Sequence, residues 1–73
     1  MNNIYKWLNP EKSRFYTIEL EASNYNFVLK HFWGGCNNNR RFKKELLINT
    51  FDEVQKYIQK MTKKRKNRGY FLI

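Results

Sequence analysis

Two segments in the first half of the chain alternate apolar and polar residues, a pattern that predicts half-buried β-strands. The segments span residues 14–20 and 25–33, and each would bury every second side chain on one face of a sheet. Residues 22–24 between them favour a turn, so the two strands are expected to pair as a hairpin. Residues 4–8 are expected to form a short edge strand or arm.

The alternation breaks at residues 34–39, where two glycines and three asparagines predict an exposed loop. It returns over residues 41–48, which predicts a third strand with a cationic start and an apolar end. The loop is therefore expected to lead directly into a basic strand.

A helix is predicted to begin at Phe51, because Thr50 and Glu53 have the spacing of a capping box. Apolar residues then recur at helical spacing, so one face of the helix is expected to pack on the sheet. These apolar residues are Phe51, Val54, Tyr57, Ile58 and Met61. Residues 67–69 favour the end of the helix, and residues 70–73 resume an apolar, strand-like stretch.

The order of these elements predicts an α+β fold. We expect a small, mostly antiparallel sheet of four to five strands that packs against one α-helix. With 73 residues the chain is long enough for one domain, so a single domain over residues 1–73 is expected.

Positive charge is concentrated in the second half of the chain. The sequence has 15 lysine and arginine residues against 6 aspartate and glutamate residues, a formal net charge of +9. Residues 37–73 hold eleven of the basic residues and three of the acidic ones, so this half carries +8 of the total. Such asymmetry predicts a positive face that attracts polyanions, nucleic acid above all. A solubilising surface is the alternative explanation of the same charge.

Cysteine and histidine occur once each, as Cys36 and His31, which limits the chemistry available to the chain. One cysteine cannot form an internal disulfide, and two residues cannot complete a four-ligand zinc site. A nucleophile needs a base within hydrogen-bond reach, usually oriented by a third group, and no third group is evident for this pair. We therefore expect no metal, no cofactor and no enzymatic activity.

The start of the chain, residues 1–10, lacks the apolar run of a signal peptide. No stretch of the sequence approaches the roughly 20 apolar residues of a membrane span. These features predict a soluble cytoplasmic protein, associated with the nucleoid if its source is bacterial, with no membrane partner. We expect a monomer or a weak homo-oligomer.

Two basic clusters are candidates for phosphate contacts, because arginine can donate two hydrogen bonds to one phosphate and lysine supplies a point charge. The first cluster consists of Arg40, Arg41, Lys43 and Lys44, on the predicted third strand and its entry. The second consists of Lys63, Lys64, Arg65, Lys66 and Arg68, at the end of the predicted helix. The second cluster has a strong alternative explanation, since cations at a helix C-terminus are favourable without any ligand.

Four segments, in this order, resemble the WGR domain, a small module named for its Trp-Gly-Arg motif and known from DNA-dependent poly(ADP-ribose) polymerases and small bacterial proteins. The family's opening strand is similar to RFYTIEL, its Trp-Gly strand end to NYNFVLKHFWGG, its capped helix to INTFDEVQKYIQK, and its basic-Gly-Tyr segment to RKNRGY. Together the segments cover roughly residues 14–70. The resemblance implies a curved sheet with one helix across it and a role in nucleic-acid binding, in which the Trp-Gly corner meets a DNA strand end or break.

The motif carries over to this sequence in part. Trp33 and Gly34 correspond to its tryptophan and glycine, but position 35 is a glycine, so the arginine of the motif is missing. The resemblance therefore implies break recognition without the cation that the family places beside the strand end. Arg40 and Arg41 could compensate from across the loop.

Trp33 and Gly34 each have two interpretations. Trp33 would stack on a base or sugar, or it would be a core residue, since it shares a predicted strand face with Phe27 and Leu29. Gly34 would let a phosphate approach the backbone, or it would serve a tight turn.

The leading interpretation is a non-enzymatic module that binds DNA, with RNA left open, mainly through its phosphate backbone. The rival interpretation is a protein-interaction module, an inhibitor or adaptor that docks on an acidic partner. Tyr5, Trp7 and Phe32 are the candidate aromatic anchors of such an interface.

Overall fold

Five strands form one curved antiparallel sheet, and one helix follows the fourth strand. The computed structural model describes residues 3–73. In chain order the elements are β1 (Asn3–Asn9), β2 (Arg14–Ala22), β3 (Phe27–Gly35), β4 (Arg41–Ile48), α1 (Phe51–Asn67) and β5 (Phe71–Leu72). The strands lie in the order β4-β3-β2-β1-β5, and every neighbouring pair is antiparallel. The predicted α+β class, with four to five strands and one helix, is confirmed.

Two of the predicted strands differ from the structure. β1 is neither an edge strand nor an arm, because β5 pairs with its outer side and places Leu72 opposite Trp7. β3 begins at Phe27 rather than at residue 25. The turn before β3 is longer than predicted, since the backbone N–H of Ser23 donates to the carbonyl of Asn26 at 2.8 Å.

The helix covers one face of the sheet, and the core lies between them. The buried apolar side chains include Ile18 and Leu29 from the sheet and Val54 from the helix, each at most 1 % exposed. Burying such side chains is worth roughly 1.5–3 kcal/mol each, which is what holds a domain of this size together. Met61 extends this core along the helix toward its C-terminus.

Trp7 belongs to this core, so its assignment as an exposed anchor for a protein partner is wrong. Its ring is 1 % exposed, and it packs at 6.3 Å from the ring of Tyr5, which is itself half-buried against the core. Alternation along β1 points both residues toward the helix. Phe32 is half-buried and lies on the opposite surface of the sheet, which also carries Phe15 and Lys43 and is called the outer face below.

The two ends of the helix follow from local chemistry. At the start, the hydroxyl of Thr50 accepts a hydrogen bond from the backbone N–H of Glu53 at 3.2 Å, as the capping spacing predicts. At the end, Gly69 has a φ of +88°, a conformation that favours glycine. The carbonyl of Arg65 accepts hydrogen bonds from the backbone of both Arg68 and Tyr70. The chain therefore turns back sharply and returns to β1.

Candidate nucleic-acid interface

An aromatic row crosses four strands beneath the C-terminal end of the helix. The strand register places Trp7, Tyr16, Trp33 and Phe42 opposite one another. The ring of Trp33 is stacked between its neighbours, with centroids 5.7 Å from both Tyr16 and Phe42 and interplanar angles of 13° and 14°. The row begins in the core at Trp7 and ends at Phe42, which is 50 % exposed. Trp33, half-buried, therefore both packs against the core and reaches the surface.

Arg65 lies over this row. Arg65 is only 8 % exposed. Its guanidinium carbon is 4.0 Å from the centroid of the Tyr16 ring and 5.5 Å from the centroid of the Tyr70 ring. A cation over an aromatic face is attracted by the ring quadrupole. Arg65 is four residues after Met61, one helical turn further along the inward face, which is why this member of the basic run is buried.

A groove of about 780 Å³ opens between this helix end, the aromatic row and the loop after β3. We call it the basic groove. Its cationic lining residues are Lys12, Arg14, Arg40, Lys44, Arg65 and Arg68, and its one carboxylate is Glu11. Its aromatic lining residues are Phe15, Tyr16, Trp33, Phe42 and Tyr70, and the others are Ser13, Gly34, Gly35, Asn37 and Asn38. The groove thus combines six positive charges with one negative charge and four aromatic rings, those of Tyr16, Trp33, Phe42 and Tyr70. Phe15 borders it, but alternation along β2 directs its ring to the outer face.

The cations of the basic groove are not neutralised by acidic side chains. Within residues 3–73, ion pairs form only between Lys30 and Glu21 and between Lys56 and Asp52. Cations also crowd one another at the rim, since the charges of Arg68 and then Arg65 lower the pKa of Lys64 from its ordinary value. An arrangement of this kind attracts anions, because unpaired like charges in a cleft add their potentials.

The loop between β3 and β4 is held by Arg41. One terminal nitrogen of its guanidinium, Nη1, donates to the carbonyls of Gly35, Asn38 and Arg40 at 2.8, 2.9 and 2.8 Å. The same guanidinium lies 5.2 Å from the centroid of the Phe15 ring. Arg41 therefore has a structural function that the sequence interpretation, phosphate contact, did not include.

Gly34 lies where the returning loop passes close to the end of β3. A Cβ atom at this position would lie 2.3 Å from the carbonyl oxygen of Arg40. Real Cβ atoms essentially never approach within 3.0 Å of another heavy atom, so only glycine fits without a shift of backbone. Close approach of the returning loop, rather than a positive φ, accounts for this glycine.

The structure brings together only some of the residues predicted to contact nucleic acid. Those that line the basic groove are Trp33, Gly34, Arg40, Lys44, Arg65 and Arg68. Lys64 lies close enough to Arg65 and Lys44 for their charges to lower its pKa. Arg41, Lys43, Lys63 and Lys66 are not among its lining residues. Alternation along β4 directs Arg41 and Lys43 to the outer face.

Sequence reasoning missed two contributors to the groove for which a signal existed. Arg14 shares a strand face with Tyr16, so the alternation that identified β2 also places Arg14 on the helix side. Phe42 occupies the same face of β4 as the buried Ile48, at the end nearest the loop.

His31 and Cys36, the two residues considered for catalysis, lie in different environments. His31 is fully buried, and its Nε2 lies 2.8 Å from the hydroxyl oxygen of Tyr57. Burial lowers the pKa of His31 from its ordinary value, and the charge of Lys44 lowers it further. Cys36 is exposed in the loop after β3.

Across residues 3–73, no group of three or more histidine, cysteine, aspartate or glutamate residues could hold a metal ion. The one helix of that region is neither long nor apolar enough to cross a membrane. Comparison with protein-family models, with curated proteins and with solved structures returned no match. The resemblance to the WGR domain therefore rests on the sequence motifs alone.

Proposed function

We propose that this protein is a non-enzymatic module that binds nucleic acid in the basic groove, chiefly through the phosphate backbone. The observation that carries the proposal is the composition of the groove. Six cations face one carboxylate along a surface cleft whose floor is an aromatic row. Nucleic-acid sites in proteins combine the same two features, cations that follow the backbone and rings on which bases stack.

The rings of the row differ in what they can offer a ligand. Tyr16 is buried and supports the row from below, whereas Phe42 is 50 % exposed at its open end. Trp33 lies between them and is half-buried, with both faces already stacked. A base entering the groove would therefore meet the exposed edge of the row rather than slide between Trp33 and its neighbours.

The WGR resemblance fits this groove as part of the same proposal. The Trp-Gly corner, Trp33 and Gly34, lines the groove, and so does Arg40 on the far side of the loop. Position 35 is a glycine where the motif has an arginine, and we propose that Arg40 supplies the missing positive charge. Preference for a nicked or blunt-ended duplex over a single strand would support this part of the proposal.

The test compares two adjacent lysines that lie on opposite faces of β4. Lys44 lines the basic groove, whereas Lys43 lies on the outer face, and both side chains are exposed. Lys44→Gln and Lys43→Gln remove the same charge from the same strand, so the net charge and any non-specific attraction change equally. The proposal predicts weaker binding for Lys44→Gln and little change for Lys43→Gln.

Binding is measured by fluorescence anisotropy with labelled single-stranded, blunt duplex and nicked DNA and with RNA, over a series of salt concentrations. Each phosphate that the protein neutralises lowers log K by about 0.9 per log unit of salt on duplex DNA. Lys44→Gln should therefore reduce the slope of log K against log salt concentration by about 0.9, the equivalent of one phosphate contact. Binding of the wild-type protein that does not respond to salt would refute the proposal.

Equal effects of the two lysine variants would move the contacts away from the groove and so refute the assignment of this site. Absence of binding to every probe at low salt would refute nucleic-acid binding itself. In that case, recovery of a stoichiometric acidic protein after nuclease treatment would favour the rival function, docking on a protein partner.

A further inference from the structure

A small recess adjoins the basic groove where the helix ends. It has a volume of about 340 Å³ and is lined by Asn9, Lys12, Arg14, Arg65, Arg68 and Tyr70. Four of these six residues are cationic, and none is acidic. One water molecule occupies roughly 30 Å³ of liquid, so the recess has room for a larger hydrated group.

The polar side chain at the back of the recess is already used by the fold. The Nδ2 of Asn9, a residue only 2 % exposed, donates to the carbonyl of Arg68 at 3.0 Å. Its Oδ1 accepts from the backbone N–H of Lys12 at 3.1 Å. Asn9 thus joins the turn before β2 to the turn after α1 and brings Lys12 and Arg68 to the same cavity. What remains available to a ligand is the positive charge.

Arg65 has no anionic partner within residues 3–73. It is more than nine-tenths buried, and its Nε has no hydrogen-bond partner among residues 3–73. None of the ion pairs in that region includes it. A buried cation without a paired anion is costly, and stacking on Tyr16 and Tyr70 offsets only part of that cost. Arg65 also lines the recess, and Nε is the one nitrogen of its side chain that is both buried and without a partner among residues 3–73.

We propose that this recess is a binding site for a single phosphate group, anchored by the guanidinium of Arg65 and flanked by Arg14, Arg68 and Lys12. A phosphate suits it because its oxygens accept the charge-assisted hydrogen bonds that guanidinium groups donate in pairs. The inference rests on the proposed function, in that the recess opens beside the same groove. The phosphate is either a diester of the backbone or a monoester, terminal or free.

The test is NMR titration of the full chain, observing the Nε–Hε resonances of its arginine side chains. The probes are inorganic phosphate, dimethyl phosphate, and one oligonucleotide with and without a 5′-phosphate. We expect a saturable shift of the Arg65 resonance with inorganic phosphate or dimethyl phosphate. Binding of dimethyl phosphate assigns the recess to backbone diesters, and binding of inorganic phosphate with dependence on the 5′-phosphate assigns it to monoesters.

Three variants connect the shift to the recess. Arg65→Lys retains the charge but loses the planar pair of donors, and should weaken phosphate binding about tenfold, the equivalent of one charge-assisted hydrogen bond. Arg68→Gln, at an exposed position where folding is not at risk, should weaken it at least threefold. Lys6→Gln removes a charge from an exposed position on β1 outside the recess and should change the affinity less than twofold.

Arginine resonances that drift together without saturating would show a general ionic effect and overturn the proposal. Equal responses of Arg68→Gln and Lys6→Gln would also overturn it. If no saturable phosphate binding is seen at the recess while nucleic acid still binds with the salt dependence assigned to Lys44, the proposed function stands without this site. Saturable phosphate binding by a protein that binds no nucleic acid would support the recess and refute the proposed function.

Discussion

Replacement of Gly34 by alanine tests the packing that places the loop beside the groove. The added Cβ would lie 2.3 Å from the carbonyl oxygen of Arg40, so this separation must grow by 0.7 Å to reach even 3.0 Å. That carbonyl is held by Arg41, whose Nη1 also holds the carbonyls of Gly35 and Asn38. Moving it therefore displaces the whole hydrogen-bonded cluster rather than one flexible side chain.

The expected cost follows from these contacts. Overpacking that moves backbone costs about 1–3 kcal/mol, and the reduced freedom of alanine in the unfolded chain returns about 0.4–1 kcal/mol. The difference leads us to expect that Gly34→Ala lowers the free energy of unfolding by about 1.3 kcal/mol. In a domain of this size 1 kcal/mol corresponds to about 4–8 °C, so the midpoint of thermal unfolding should fall by about 5–10 °C.

Gly35→Ala is the matched control. Its Cβ would meet the side chain of Asn38 at 2.4 Å, and that side chain can rotate away at the expense of one exposed hydrogen bond to the backbone N–H of Arg40. The loss of that bond, about 1 kcal/mol, is nearly offset by the unfolded-chain effect, so the midpoint should move by less than about 4 °C. Circular dichroism melts of the two variants at one salt concentration make the comparison. Equal midpoints, or a lower midpoint for Gly35→Ala, would refute the reasoning.

Two further predictions concern His31 and Trp33. Burial lowers the pKa of His31 in the folded protein, so below about pH 6.5 the unfolded chain binds a proton more readily than the folded one. The free energy of unfolding should therefore keep its full value above that pH. It should fall by at most about 1.4 kcal/mol per pH unit as the pH is lowered from 6.5 toward 5. Urea unfolding at several pH values measures this dependence, and His31→Gln should make the free energy of unfolding vary less between about pH 6.5 and 5. The same pH dependence in the variant and the wild-type protein would contradict the prediction. Trp33 supports the exposed ring of Phe42 rather than stacking on a base itself, so Trp33→Leu should weaken nucleic-acid binding about fivefold in the anisotropy assay, the lower end of the roughly 1–3 kcal/mol of one stacked base. A loss of thermal stability with unchanged affinity would instead make Trp33 a core residue only.

Local patterns were sufficient for most of the fold. Alternation identified β2 and β4 closely, and the spacing of Thr50 and Glu53 marked the first turn of α1. These signals act within a few residues, since the periodicities of strands and helices and the geometry of a cap are properties of the local chain. The same is true of the helix end, where Gly69 adopts the positive φ that its sequence context suggests.

The position of β1 could not be predicted in this way. Whether residues 3–9 form an edge depends on where the C-terminal residues return, and that is decided by the turn after α1, sixty residues later. The backbone N–H of Ile73 donates to the carbonyl of Lys6 at 2.8 Å, a contact that no local pattern encodes. Trp7 was assigned to the surface for the same reason, since its burial requires both the helix and this return.

The amino-acid sequence by itself determined that this chain is basic, that it has a sheet and one helix, and which residue types are available for binding. Only the tertiary structure decided which of the cations lie together. Arg41 and Lys44 are three residues apart, yet one holds a loop and the other lines the groove. Arg14 and Arg65 are fifty-one residues apart and line the same recess. Charge and periodicity are carried along the chain, whereas a binding site is made by strand register and by the packing of the helix end, which bring distant residues together.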